Sequence, residues 1–251
     1  MSDAFTNMAV DEAIVTGRIA DSVPNTLRLY RWNPSAVSVG RFQDIGKEVQ
    51  VDNCRQKSVD IVRRITGGGA VYHDSQSEIT YSVIAREKDF GTADVIQAYN
   101  KICSGIIEAA KILGVDASFS PGDPHNCPTV AINGKKISGS AQYHKSGVLL
   151  QHGTFLLDVD LENMFTFLRV PWAKDISDVI CVANDKITSV EKELDRRIDP
   201  REAAEALIQG FTNALSIELQ EGTLTDTEQA LAFDLRNQKY SKDAWTIRGK
   251  A

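Results

Sequence analysis

The stretch TVAINGKKISGSAQ, residues 129–142, decides how the chain is read. Asn133-Gly134 separates two alternating runs, and such a pair is the strongest short-range hairpin signal because both residues tolerate positive φ. The following GVLLQHGTFLLDVD (147–160) then reads as a third strand. Upstream, TLRLYRW (26–32) and AVSVG (36–40), joined by an Asn33-Pro34 turn, read as a further hairpin. VDIVRRI (59–65), GAVYHD (69–74) and EITYSVIA (78–85), with Ile79, Tyr81 and Val83 alternating, supply more strands. Helical spacing marks NMAVDEAIVTGRIA (7–20), where Asp11 and Glu12 fall in the first turns. A short helix is expected around 44–57, and the segment 92–114 reads as a long helix capped by Thr92 and stopped by Gly114. Further helices fall near 160–169, 201–216 and 225–240. Strands interrupted by helices without regular βαβ alternation predict an α+β domain over 1–251, with a mixed, mostly antiparallel sheet flanked by helices.

Composition narrows the function. The 251 residues carry 34 acidic and 28 basic side chains, a net charge of −6. A general nucleic-acid binder needs the opposite sign over a broad face, so no nucleic-acid partner is expected and any anion site is local. No run reaches the ~20 apolar residues of a membrane span, and the N-terminus lacks a signal-peptide pattern. A cytoplasmic protein is expected. Cys54, Cys103, Cys127 and Cys181 lie far apart, which supports neither a zinc site nor a disulfide framework. Each is core filler or a lone nucleophile, and no metal-ligand set is readable.

Two stretches carry chemistry. In RRITGGGAVYHD (63–74) two arginines precede three glycines, and bare backbone there lets an anion approach N–H groups. A turn between strands explains the glycines equally well. Adjacent Arg63 and Arg64 point to opposite faces, so only one serves a ligand directly. The spacing fits neither a P-loop nor Gly-x-Gly-x-x-Gly. In the second stretch, Lys135 and Lys136 likewise diverge, and one faces the occupied side unless both form a solvated edge. Gly139, Ser140 and Ala141 leave room beside it. His73 and Asp74 read as a loop-forming pair, and His152 as a satisfied core histidine. Cys127 lies between prolines in a polar loop, two residues from His125. A thiol near cations is a nucleophile, although a loop cysteine without a role fits as well.

Taken in order, FTNMAVDEAI, RRITGGGAVYHD, INGKKISGSAQ and LLQHGTFLLD resemble the lipoate-protein ligase A family, and the resemblance runs nearly the whole chain to KYSKDAW (239–245). It implies the catalytic-domain fold shared with biotin-protein ligases and octanoyltransferases. It also implies a ligase that activates lipoate or octanoate with ATP and Mg2+ to an acyl-AMP, then acylates a lysine of a lipoyl-acceptor domain. Lys136 matches the lysine that touches carboxyl and phosphate oxygens, and Arg64 the arginine before the glycines. Gly69, Ala70, Val71 and Tyr72 match the stretch along which the adenylate lies. Gly68, His73, Gly139, Ala141, His152 and Gly153 match residues of the same cleft. Val37, Val39 and Gly40 would wall the acyl slot. Mg2+ would be held largely by phosphate oxygens and water.

Two features depart from the ligase pattern. The C-terminal accessory domain of long ligases is not expected, which implies a separate small activating protein. HNCPTVAING carries Pro128-Thr129 where many ligases have Asn-Asp. The nearby cysteine raises the alternative of a cysteine-dependent octanoyltransferase, which moves octanoate from acyl carrier protein through a Cys127 thioester. A non-catalytic acyl-binding accessory protein is the third reading.

Overall fold

The computed structural model describes residues 1–92, 94–122, 127–170, 172, 173 and 175–249. The chain runs through α1 (Ala4–Ile19), β1 (Thr26–Tyr30), β2 (Ala36–Val39), α2 (Ile45–Glu48), α3 (Val51–Gln56), β3 (Asp60–Arg63), β4 (Val71–His73) and β5 (Glu78–Arg86). After a short 3-10 turn come α4 (Val95–Leu113), β6 (Ser118–Ser120), β7 (Thr129–Ile132), β8 (Lys135–Lys145) and β9 (Val148–Leu156). Helices α5 (Leu161–Phe167), α6 (Ile176–Asn184), α7 (Val190–Leu194), α8 (Pro200–Leu215), α9 (Asp226–Leu235) and α10 (Asp243–Thr246) follow, with a π turn at Arg236–Tyr240 between the last two. The fold is α+β, as the alternation of strands and helices predicts.

Six strands form an antiparallel sheet in the order β1-β5-β9-β8-β7-β6. The turn at its centre follows the sequence: Asn133 and Gly134 both take positive φ, 49° and 80°. A second sheet, β3-β2-β4, pairs β2 parallel to β3 and antiparallel to β4. The expected hairpin of TLRLYRW with AVSVG therefore does not form. β1 pairs with β5, the fully buried Trp32 anchors the connection, and β2 enters the other sheet. The strands flanking the glycines do not pair with each other either; both pair with β2.

Burial explains the layers. On β5, Ile79, Tyr81 and Val83 join the apolar cluster under α4 and α8, while Thr80 and Ser82 turn to the other face. That face lies under α1 and α9. α1 begins at Asp3, whose side chain caps Thr6, so Asp11 sits mid-helix instead of in the first turn. The cap of α4 is Asp94 and not Thr92, which instead accepts from the Asp94 N–H. The region around 44–57 holds two short helices, and α6, α7, α10 and β6 are elements beyond those the sequence pattern predicts. Among the described residues, no helix is long and apolar enough to cross a membrane.

α4 and α8 cross where neither carries a side chain. A Cβ at Gly105 would lie 2.4 Å from the Phe211 ring, and one at Gly210 would lie 2.5 Å from the Gly105 carbonyl oxygen. Since backbone cannot give way as a side-chain tip does, Gly210→Ala forces the helices apart. Overpacking of this kind costs about 1–3 kcal/mol. Urea unfolding should show a loss in that range, and unchanged stability would contradict this crossing.

Candidate active site

A cavity of about 260 Å3 opens between the two sheets. It falls just below the ~300–1,000 Å3 of pockets for drug-sized ligands, which suits a short chain. Its walls come from the loop after β3, the start of β8, the middle of β9 and the segment before β7. Arg64, Gly68, Gly69, Ala70, Val71, His73, Cys127, Lys136, Gly139, Ala141, His152 and Gly153 all line it.

Four predicted residues, Val37, Val39, Gly40 and Tyr72, do not. Val39 is fully buried in an apolar cluster with Val37, Ile45 and Val49. Alternation along β2 gives the cavity Ser38 instead. Gly40 serves a close approach of backbones, since a Cβ there would lie 2.1 Å from the Gly68 carbonyl oxygen. Tyr72 turns away between Val71 and His73, stacks on Phe167 at 5.1 Å, and accepts from Asn163. Sequence reasoning also missed Met8, Tyr30, Trp32, Ser38, Thr80 and Thr154 on the walls. The period-2 rule on β2 and β5 signals Ser38 and Thr80; Trp32 carries no such signal.

Arg63 and Arg64 diverge as expected. Arg63 is buried against carbonyls of Gly40, Gln43 and Trp245. Arg64, 4 % exposed, faces the cavity. Its Nε donates to Thr66 Oγ1 (3.1 Å), one terminal nitrogen to the Ser38 carbonyl and Oγ (both 3.0 Å), and the other to the carbonyls of Gly67 (2.8 Å) and Gly69 (2.7 Å). A guanidinium has five N–H donors, and all are spent on protein. Arg64 thus shapes the glycine loop and has no donor left to grip a phosphate. Burial pulls its pKa down to about 10, which still leaves a cation at neutral pH.

Lys136 also enters the cavity, while Lys135 turns out to the Asn184 carbonyl. The lysine stem folds over Gly139, where a Cβ would meet Nζ at 2.5 Å. The backbone is pinned by the Lys136 N–H to Lys186 and by Thr188 to the Lys136 carbonyl. Lys136 is exposed to solvent through the cleft, although many protein atoms surround its ammonium. Desolvation lowers its pKa, with Arg64 adding repulsion and a Cys127 thiolate opposing both. A lysine so placed gives up its proton more readily.

Cys127 is exposed and lines the same cavity. Its Sγ lies 3.9 Å from the position of a Cβ on Gly68, which has φ +86°. His125, its expected neighbour, lies outside the described residues.

The histidines have partners other than those their neighbours suggest. His73 Nδ1 pairs with Glu78 Oε1 at 2.8 Å, and its ring stacks on Trp32 at 4.1 Å. Asp74 instead accepts from Gln76 and Ser77 in the turn. His152 Nδ1 meets Asp11 Oδ2 at 3.2 Å, and Asp11 also accepts from Arg28, Tyr30 and Ser82. Burial opposes ionisation of Asp11, but Arg28 and His152 hold its pKa below the usual value.

An accessible thiol and a lysine of lowered pKa open into one cleft, an arrangement suited to nucleophilic chemistry. The chain belongs to the lipoyl protein ligase A/B catalytic domain family, whose sequence model matches residues 3–212. It is 37 % identical to the octanoyltransferase LipM of Brevibacillus brevis, over 99 % of this chain and 96 % of that protein. It is 37 % identical to LipM of Symbiobacterium thermophilum, over 96 % and 93 %. Among solved structures it resembles the bipartite lipoate protein ligase of Thermoplasma acidophilum, described with its E2 lipoyl domain. There the TM-score is 0.83 at 29 % identity, over 98 % of this chain and 94 % of that one.

These relatives correct the expected activity. Curated relatives at 34–37 % identity over nearly the whole chain are octanoyltransferases, so the reading as an ATP-dependent lipoate ligase does not stand, and ATP and Mg2+ lose their support with it. The chain is an enzyme of the ligase and octanoyltransferase family.

Burial lowers the His152 pKa below 6.5, although Asp11 pulls the other way. Below about 6.5 the unfolded chain binds more protons than the folded one, so stability falls as pH drops through the depressed value. In His152→Gln this component is absent. Urea unfolding between about pH 7 and pH 5 should show a shallower loss than in the parent protein; an equal slope would contradict the assignment.

Proposed function

We propose that the protein is a cysteine-dependent octanoyltransferase that moves an octanoyl group from acyl carrier protein to a lysine of a lipoyl-acceptor domain. The observation that carries this reading is the opening of Cys127 and Lys136 into one cleft. Lys136 takes the Cys127 proton, and Sγ attacks the carbonyl carbon of the donor thioester. The carbon–sulfur bond to the donor breaks, and the departing thiolate takes the proton from Lys136. The acceptor amine then attacks the Cys127 thioester, loses a proton to Lys136 and leaves an amide, while Sγ departs as thiolate. A lysine with a lowered pKa suits both transfers. The acyl chain lies along Val71 and Ala141, beside Gly68, Gly69, Ala70, Gly139 and Gly153. A thioester donor arrives already activated, so the route requires neither a nucleotide nor a separate activating protein. The saturated donors of Arg64 agree with a site that need not hold phosphates, and a pure acyl binder would have no use for the Cys127 and Lys136 pair.

Intact-mass spectrometry of an acceptor domain tests this in two mixtures, one with octanoyl-acyl carrier protein and no ATP, the other with octanoate or lipoate and MgATP. Modification in the first alone is expected. Lys136→Ala should slow it by about 10²–10⁴-fold, and Cys127→Ser should abolish it. Modification that needs ATP, or that survives in Cys127→Ser, would overturn the reading.

A further inference from the structure

We propose that two buried chains of acid, imidazole and hydroxyl, Asp11–His152–Thr66 and Glu78–His73–Ser38, are positioning residues that aim Arg64 and thereby hold the glycine wall beside Cys127. The proposal rests on the transferase reading for the meaning of that wall, and on the geometry for the chains themselves.

The two chains share one pattern. Asp11 Oδ2 lies 3.2 Å from His152 Nδ1, and His152 Nε2 lies 2.8 Å from Thr66 Oγ1. Glu78 Oε1 lies 2.8 Å from His73 Nδ1, and His73 Nε2 lies 2.8 Å from Ser38 Oγ. Both hydroxyls then meet Arg64, Thr66 at Nε and Ser38 at a terminal nitrogen. All six side chains are buried, though they come from α1, β2, β4, β5, β9 and the loop after β3.

Proton accounting fixes the direction of each bond. Arg64 can only donate, so each hydroxyl accepts from it and has its own hydrogen left for the imidazole Nε2. Each ring then carries its proton on Nδ1 and donates it to a carboxylate. Both imidazoles are thereby neutral, and the lowered pKa of His152 agrees. A protonated ring would make the hydroxyl accept twice, from Arg64 and from Nε2, and would leave its own hydrogen without an acceptor among the described residues.

This arrangement achieves what a direct ion pair would not. A carboxylate on Arg64 would capture two of its donors and pull the guanidinium off the glycine carbonyls. With the acids held one imidazole and one hydroxyl away, the second terminal nitrogen of Arg64 stays on Gly67 and Gly69. Gly68, between those two, faces Cys127 Sγ.

The test uses the full chain and two readouts: single-turnover acylation by octanoyl-acyl carrier protein, and hydrogen exchange of amides 66–70. Thr66→Val keeps the shape and loses both bonds; it should slow acylation by about 10–100-fold and speed exchange, whereas Thr66→Ser should restore most of the rate. Adding His152→Gln to Thr66→Val should cost little more, since both lie in one chain, while adding Ser38→Ala should multiply the loss. A wild-type rate in Thr66→Val, failure of Thr66→Ser, or independent effects within one chain would overturn the proposal. If the parent protein accepts no acyl group, the transferase reading falls. Hydrogen exchange then decides the chains alone: faster exchange in Thr66→Val sustains them, and unchanged exchange overturns them.

Discussion

The site depends on how one buried cation is satisfied. Among the described residues Arg64 has no carboxylate against it, and its five donors end on two hydroxyls and three carbonyl oxygens. A buried charge so placed is costly unless every donor is paired. Each of those oxygens is therefore held to a particular position. The requirement reaches β2 through Ser38, the glycine loop through Gly67 and Gly69, and α1 and β5 through the acids behind the histidines. The loop that walls the cavity is shaped by this bonding, and its glycines admit conformations and approaches that a Cβ would block.

The same accounting bears on chemistry. A related scaffold can serve an adenylating ligase or a thioester transferase, and the fold does not decide between them. What decides is which groups remain available once structural bonds are counted. Arg64 is fully occupied, whereas Cys127 is exposed and Lys136, on the same cleft, makes no side-chain hydrogen bond among the described residues. The available pair is suited to attack on a carbonyl and to proton transfer. The curated relatives point the same way.

Local rules made part of this legible. Asn133-Gly134 announces the β7–β8 turn, and the parity of strand positions separates Arg63 from Arg64 and Lys135 from Lys136. The run of apolar residues from 95 to 113 marks α4. What stayed hidden depends on contacts distant along the chain. His152 finds Asp11 across 141 positions and Thr66 across 86. β1 and β2 read as a hairpin because each alternates, yet Trp32 buries its ring and sends β2 to a second sheet. Parity also identifies which arginine faces the cavity without showing that its donors are already spent. Asp11 looks like a helix-dipole acid until tertiary packing places it in the middle of α1.

The central claim is that Cys127 carries the acyl group. The most direct measurement is peptide-level mass spectrometry of the protein quenched in acid after brief exposure to octanoyl-acyl carrier protein without acceptor. The account predicts one octanoyl adduct, on the peptide containing Cys127, removed by neutral hydroxylamine as a thioester is. An adduct on another residue, or acceptor modification with no acyl-enzyme at any time, would contradict it.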